Sequence, residues 1–374
     1  MRYGRGFTII ELLISIAVVS LLIALFLPAV MEARESSRRM QCLNNLRQIG
    51  AALHNYEEQH TRLPPAMIWS GPPGEQIGPG TFPIGLFDRI AKGLAPTSEP
   101  DRVHANWVLM LLPHVEQQSL SDKYNFSRPV SDPANAEVRQ TPLAVMNCPT
   151  DTFNRITNFY SRALLAGNNE NLYARGNYGI NFGSNRGCII NGIVPCTDGF
   201  HVDSNDLANK NMVVWGSGLA GINTSFRFSD VTSGTSHFVV VDELRAGVHP
   251  LDPRGTWALG FIAASATARH GLFGGIDDAN GPNNSDSSSD DITGCTQLKA
   301  TEADLLAKTN MPCFAPPDPT IEANDQATSR SQHPGGVQVL LADGSARFVS
   351  DNVNSTVWHH IHLRDSSHAG ELSF

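Results

Sequence analysis

Glu11 is the only charge in the run from Phe7 to Val30, FTIIELLISIAVVSLLIALFLPAV. A carboxylate in such a setting needs a cation to pair with or a path to an aqueous interface. Elsewhere, Cys42, Cys148, Cys188, Cys196, Cys295 and Cys313 contain no C-x-x-C, which argues against zinc-ribbon and thioredoxin chemistry. An even cysteine count suits disulfides in an exported domain. Six cysteines allow fifteen connectivities. Pairing across short loops would join Cys188 to Cys196 and Cys295 to Cys313, leaving Cys42 with Cys148. Buried or unpaired thiols are the alternative, most of all at Cys42, which falls on a helical pattern.

His333 and Asp343 have the residue types of an acid–base pair or of metal ligands. An extended strand between them would hold them about 30 Å apart, so a direct dyad is not expected. Asp343 is expected to serve a turn and His333 a loop hydrogen bond. His359, His360 and His362 crowd the C-terminal region, where His360 and His362 have metal-ligand chemistry and a solvated helix end is the plainer reading. Asp277, Asp278, Asp286, Asp290 and Asp291 offer the oxygens a calcium ion takes, although no EF-hand frame fits and a flexible acidic loop explains them as well. Gly216-Ser217-Gly218-Leu219-Ala220-Gly221 fits G-x-G-x-x-G, but β-prone INTSFRFSD follows where the dinucleotide motif needs a helix. No G-x-S-x-G, H-E-x-x-H or P-loop occurs, so hydrolase and nucleotide chemistry are unsupported.

The elements that must carry these residues begin with the apolar run. As a helix its 24 residues span about 36 Å, more than a hydrocarbon core of about 30 Å. Its aliphatic and Phe residues outweigh a Glu penalty of about 2.5–3.5 kcal/mol, so residues 7–30 read as a transmembrane helix. The run is too long, and LPAVMEA too poor a cleavage context, for a secretory signal peptide. Beyond it, Leu43, Leu46, Ile49, Leu53 and Tyr56 recur at helical spacing over residues 31–62, until Leu63-Pro64-Pro65 stops the pattern. One rod of roughly 50 residues results, bent near Pro28, with an apolar stripe on its outer half. Residues 63–374 form the body. Residues 105–126 predict a second amphipathic helix, broken at Pro113. GCIINGIV, NMVVW, SFRFSD, HFVVVDEL and WALGFIA predict short strands. Val337, Val339 and Leu341 alternate with Gln338 and Leu340, and Asp343-Gly344 makes a two-residue hairpin turn. Asn354-Ser355 caps a last short helix through Trp358.

Composition narrows the function classes. The 27 Lys and Arg against 36 Asp and Glu give a net charge of -9, which argues against a nucleic-acid partner. The 32 Gly and 23 Pro point to many turns and long loops rather than a helical bundle.

R-G-F-T-I-I-E-L-L resembles the type IV prepilin processing motif, in which a basic leader ends in Gly. The resemblance implies a leader of residues 1–6, cleavage between Gly6 and Phe7 by a prepilin peptidase, and N-methylation of Phe7. It also places Pro28 where such pilins carry a helix-bending proline. Cleavage would leave a cationic amine at Phe7 that Glu11 of a neighbouring pilin-like subunit can meet. At 4 Å and an effective dielectric of 20 that attraction is about 4 kcal/mol before desolvation, enough to select axial register.

The body carries blocks similar to a large bacterial pilin-like family of unknown biochemical function. They are RRMQCLNNLRQIGAALHNYEEQHTRLPP, WVLMLLPHVEQ, MNCPTD and FSDVTSGTSH, with a C-terminal H-x9-DG formed by His333, Asp343 and Gly344. S-G-T-S-H-F departs from the family's D-G-T-S-N-T, which leaves Ser233 without that carboxylate. The implied fold is α+β and pilin-like: a long N-terminal membrane-spanning helix packed on a loop-rich antiparallel sheet. The implied role is a non-catalytic pilin or secretion-type pseudopilin subunit in the cytoplasmic membrane, with the C-terminal body outside the cytoplasm. Arg34, Arg38, Arg39 and Arg47 against Arg2 and Arg5 would favour the opposite topology; the cysteines side with an exported body. A membrane-anchored module that binds a glycan or envelope partner without polymerising is the alternative.

Overall fold

The computed structural model describes residues 8–69, 103–161, 172–183, 201–202, 214–268, 281–286, 289–290, 292, 294–314 and 326–365. Helix α1 (Ile9–His60) dominates it, and its 52 residues make a rod of about 78 Å. Thr8 caps its start: the hydroxyl accepts the Glu11 N–H and the Glu11 carboxylate accepts the Thr8 N–H, the reciprocal capping box. The helix runs unbroken through Pro28, which lacks the N–H for one helical hydrogen bond. It ends at Thr61, whose left-handed backbone (φ 62°) turns its N–H onto the Glu57 carbonyl.

From Ile9 to Met31 the large apolar side chains of α1 are exposed. Burial begins at Cys42 and continues at Leu46, Ile49 and Leu53, with Leu43 and Tyr56 half-buried on the flanks. Each fully buried aliphatic side chain contributes about 1.5–3 kcal/mol. The rod is thus bare along its apolar half and part of the body's core along its outer half.

The body continues with β1 (Met67–Trp69), β2 (Val103–Asn106), α2 (Trp107–Leu111), α3 (Gln118–Ser121), α4 (Ala136–Gln140), β3 (Tyr160–Ser161) and β4 (Leu172–Tyr173). After these come β5 (Tyr178–Gly183), β6 (His201–Val202), β7 (Val214–Trp215), β8 (Val239–Glu243) and β9 (Ala266–Ala268). The chain closes with α5 (Cys295–Lys308), β10 (Gly336–Leu341), β11 (Ala346–Ser350) and α6 (Ser355–His360). Five strands form the central sheet in the order β11-β10-β8-β5-β9, antiparallel except for the β5–β9 pair.

Alternation along β10 explains the layering. Val337, Val339 and Leu341 pack with Trp358 and Ile361 beneath α6. On the opposite face Leu340 meets α1, and a Cβ added at Gly50 would sit 2.9 Å from Leu340 Cδ1. The sheet is therefore held between the rod and the last helix.

Several local expectations change. Residues 105–126 do not form one helix. Asn106 caps α2 through the Leu109 N–H, Pro113 sits in a 3₁₀ turn (Leu112–Val115), and α3 resumes after Gln117. Within SFRFSD, Phe228–Asp230 is a 3₁₀ turn, because the Asp230 carboxylate accepts the Arg227 N–H and folds the chain back. WALGFIA is buried turn rather than strand; Ala263 has φ 70°, and the pairing strand is β9, just beyond it. The hairpin loop has three residues, not two: Gly344 donates to Leu341 O and takes φ 83° after Asp343, a type I turn with a glycine bulge. GCIINGIV lies outside the described residues, as do Gly6 and Phe7.

Candidate functional site

The H-x9-DG residues grip the rod at two levels. At one end, Gly344 packs beside His54, a Cβ there falling 3.7 Å from His54 Nε2, while Asp343 accepts the Ser345 N–H at 2.8 Å and stays within the turn. At the other end, His333 lies in the loop before β10, set by its own N–H bonding Ser331 Oγ. Its Nδ1 donates to Glu35 Oε1 of α1 at 2.7 Å. Glu35 and Gly50 are fifteen positions apart, about 22 Å along a helix, so the hairpin lies along that length of rod.

Around His333 the polar groups are buried and interlocked. Its Nε2 lies 3.2 Å from Gln338 Nε2, 3.4 Å from Glu243 Oε1 and 3.5 Å from Cys148 Sγ. Gln338 donates from its amide to Arg39 O and from its backbone to Glu243 Oε2. Arg39 donates to Pro334 O and covers the Phe348 ring at 4.0 Å. Glu35 also accepts from Arg38 at 2.6 Å and from Thr150. The cluster thus joins segments that sequence separates: the rod, the turn at 148–150, the end of β8, and β10 with the loop before it.

The protonation pattern follows. Burial lowers the His333 pKa despite Glu35. With the Glu35 carboxylate at Nδ1, the proton of the ring faces that carboxylate and Nε2 accepts from the Gln338 amide. Burial pushes Glu35 upward, but hydrogen bonds from His333 and Arg38 outweigh it and hold the carboxyl below its usual value. Burial raises Glu243 well above the ordinary carboxyl range, with Asp151 and Glu35 adding repulsion.

Cys42 on α1 is bonded to Cys148, so a covalent link crosses the same junction. Asn177 Oδ1 holds the Cys148 N–H, and Tyr178 donates to Cys42 O. The ligand atoms of Cys42, Cys148, His333 and Glu243 all lie within 4.8 Å of one another. Cys295 is bonded to Cys313 across α5, while Cys188 and Cys196 lie outside the described residues.

The remaining sequence-derived sites are placed elsewhere. Asp242, next to Glu243 on β8, faces the opposite side of the sheet. It accepts from Ser329 Oγ and lies 3.1 Å from His362 Nε2, with His362 Nδ1 at Trp358 O. His362 is fully buried and His359 nearly so, which corrects the solvated helix end; only His360 is partly exposed among the three. Asp290 is buried between Arg254 and Arg330, both at 2.7 Å, so its charge is already met by two guanidiniums rather than left for calcium. Asp286 is exposed, and Asp277, Asp278 and Asp291 lie outside the described residues. Gly216–Gly221 follow β7 as a bend with no helix. Gly218 lies so close to β5 that a Cβ there would collide with the Asn181 carbonyl oxygen. Ser233 is buried, and its hydroxyl has no hydrogen-bond partner among the described residues.

Glu35 and Glu243 escaped the sequence reading. Glu35 sits in polar MEARESSRRM, and Glu243 ends an apolar strand pattern. The one available signal is a histidine at a fixed distance before a turn that must itself pack on the rod.

A family model described as protein of unknown function (DUF1559) matches residues 31–356, and one described as prokaryotic N-terminal methylation motif matches residues 1–27. No curated protein and no solved structure matches the chain. The N-terminal match, together with the bare apolar half of α1, marks a prepilin-like, membrane-anchored protein.

Proposed function

The chain belongs to the DUF1559 family, and from that premise we propose that it works as a non-catalytic pilin- or pseudopilin-like subunit. A prepilin peptidase removes residues 1–6 and leaves Phe7 as the methylated terminus. The mature chain stays in the cytoplasmic membrane through residues 7–30, with its body on the non-cytoplasmic side, where the Cys42–Cys148 and Cys295–Cys313 disulfides are stable.

One observation carries this reading: a single helix is bare over its apolar half and forms part of the body's core over the other half. Such a rod can move into a fibre only together with its body, since separating them would expose Leu46, Ile49 and Leu53. The histidines and acids that sequence suggests for chemistry support the non-catalytic part. His333, His362 and Asp290 are buried and bonded to protein groups, His362 through Asp242.

Glu11 bonds the Thr8 N–H at 2.9 Å and its hydroxyl at 2.8 Å in the single chain. In an assembly a neighbour's Phe7 amine competes for that carboxylate, worth about 4 kcal/mol at 4 Å and an effective dielectric of 20 before desolvation. Crosslinking of membranes bearing Glu11→Ala tests this. The proposed role predicts loss of the crosslinked ladder at unchanged protein level. An unchanged ladder would remove Glu11 from register selection and favour a membrane-anchored binding module.

A further inference from the structure

We propose that the reduced chain binds one zinc-type divalent ion at Cys42, Cys148, His333 and Glu243, and that this ion and the Cys42–Cys148 disulfide are alternative occupants of one site. The donor set is two sulfurs, one imidazole nitrogen and one carboxylate oxygen, the mixture that zinc accepts in tetrahedral sites. Those atoms already lie within 4.8 Å of one another. Zinc–sulfur bonds of about 2.3 Å place two thiolates about 3.7 Å apart, so opening the disulfide and drawing the four donors slightly inward completes the geometry.

An independent feature points the same way. Metal-bound histidines regularly donate their second ring N–H to a carboxylate, which fixes the tautomer and aims the other nitrogen at the ion. His333 has that arrangement: Nδ1 donates to Glu35 Oε1 at 2.7 Å, and Nε2 faces Cys148 Sγ at 3.5 Å. Gln338, anchored on Arg39 O, lies 3.2 Å from that same Nε2, so its amide N–H gives up the imidazole lone pair when the ion binds.

The exchange balances. A dithiol reductant gives two electrons and two protons to the Cys42–Cys148 bond and becomes a disulfide itself. The two thiols then lose their protons to solvent as the ion binds, and any proton on Glu243 leaves with them. Either occupant ties the rod at Cys42 to the body at Cys148, so the junction stays locked in reducing and oxidising surroundings.

Cobalt(II) titration of the detergent-solubilised full chain tests this. The chain carries Cys188→Ser, Cys196→Ser, Cys295→Ser and Cys313→Ser, and is reduced with a phosphine without oxygen. The expected result is a sulfur-to-cobalt charge-transfer band with tetrahedral visible bands, saturating at one cobalt per chain. Adding zinc or oxidising with diamide should abolish it. Glu35→Gln should weaken cobalt affinity about 10- to 100-fold through the His333 ring. A chain whose circular dichroism matches the parent but which gives no such band overturns the proposal, as does a band that survives Cys42→Ser with Cys148→Ser. If the four-serine chain does not fold, the native cysteine chain decides. Reduced, it must hold one cobalt more than its Cys42→Ser/Cys148→Ser variant, and equal contents overturn the proposal.

Discussion

His333 Nδ1 and Glu35 Oε1 meet at 2.7 Å across 298 positions of sequence, with the histidine side chain fully buried and the glutamate mostly so. The contact fixes the loop before β10 to the rod only four positions past Met31, where the continuous run of exposed apolar residues ends. Glu35→Ala should lower unfolding stability by about 1.5–3 kcal/mol, the range for hydrogen bonds to charged groups. A double-mutant cycle with His333→Ala should return a coupling of about 0.5–3 kcal/mol, read by denaturant unfolding of the full chain in detergent.

Gly50 sets how closely the hairpin can approach the rod. A Cβ there would lie 2.9 Å from Leu340 Cδ1 and 3.5 Å from Gly344 Cα. Alanine is expected to be tolerated, because the nearest atom is a movable methyl and the helix gains about 1 kcal/mol of propensity. Gly50→Val should instead cost about 1–3 kcal/mol by overpacking. Ala51→Val, one position on and exposed, is the control and should cost no more than the helix-propensity loss of up to about 0.7 kcal/mol.

Acid sensitivity should be traceable to Asp252. Burial opposes its charge, but Arg254, at 2.8 Å, and Arg175 outweigh burial and hold its pKa below the ordinary 3.8. A carboxyl with a lowered folded-state pKa contributes its full stability above the unfolded value and loses it as pH falls through the folded one. Asp252→Asn should therefore be destabilising by about 3–5 kcal/mol near neutrality, since it leaves buried arginines short of a partner. The gap between parent and variant should narrow on acidification from about pH 5 toward about pH 2. Thermal melts across that range check the sign.

Local pattern made much of this architecture legible. The aliphatic run of α1 marks the bare half of the rod, while the three- and four-residue spacing of Leu46, Ile49 and Leu53 and the alternation of Val337, Val339 and Leu341 each reflect which face is buried. Those faces appear in the structure as expected. What stayed hidden is pairing between distant polar residues. Glu35 lies among charges that read as a solvated helix face, and only folding brings His333 to it. Asp242 and Glu243 look like a polar strand end, yet alternation sends them to opposite faces of the sheet toward His362 and His333. WALGFIA failed as a strand for a related reason: apolar content records burial, and buried turn is as apolar as buried strand.

Processing at the N-terminus decides whether the chain is a pilin-like subunit, and intact mass spectrometry of the mature chain purified from its native membrane measures it directly. The predicted mass lacks residues Met1 to Gly6 and gains one methyl group, with fragmentation placing the methyl on the Phe7 amine. A mature chain that retains Met1 to Gly6 would contradict the pilin-like account and leave residues 7–30 as a simple membrane anchor.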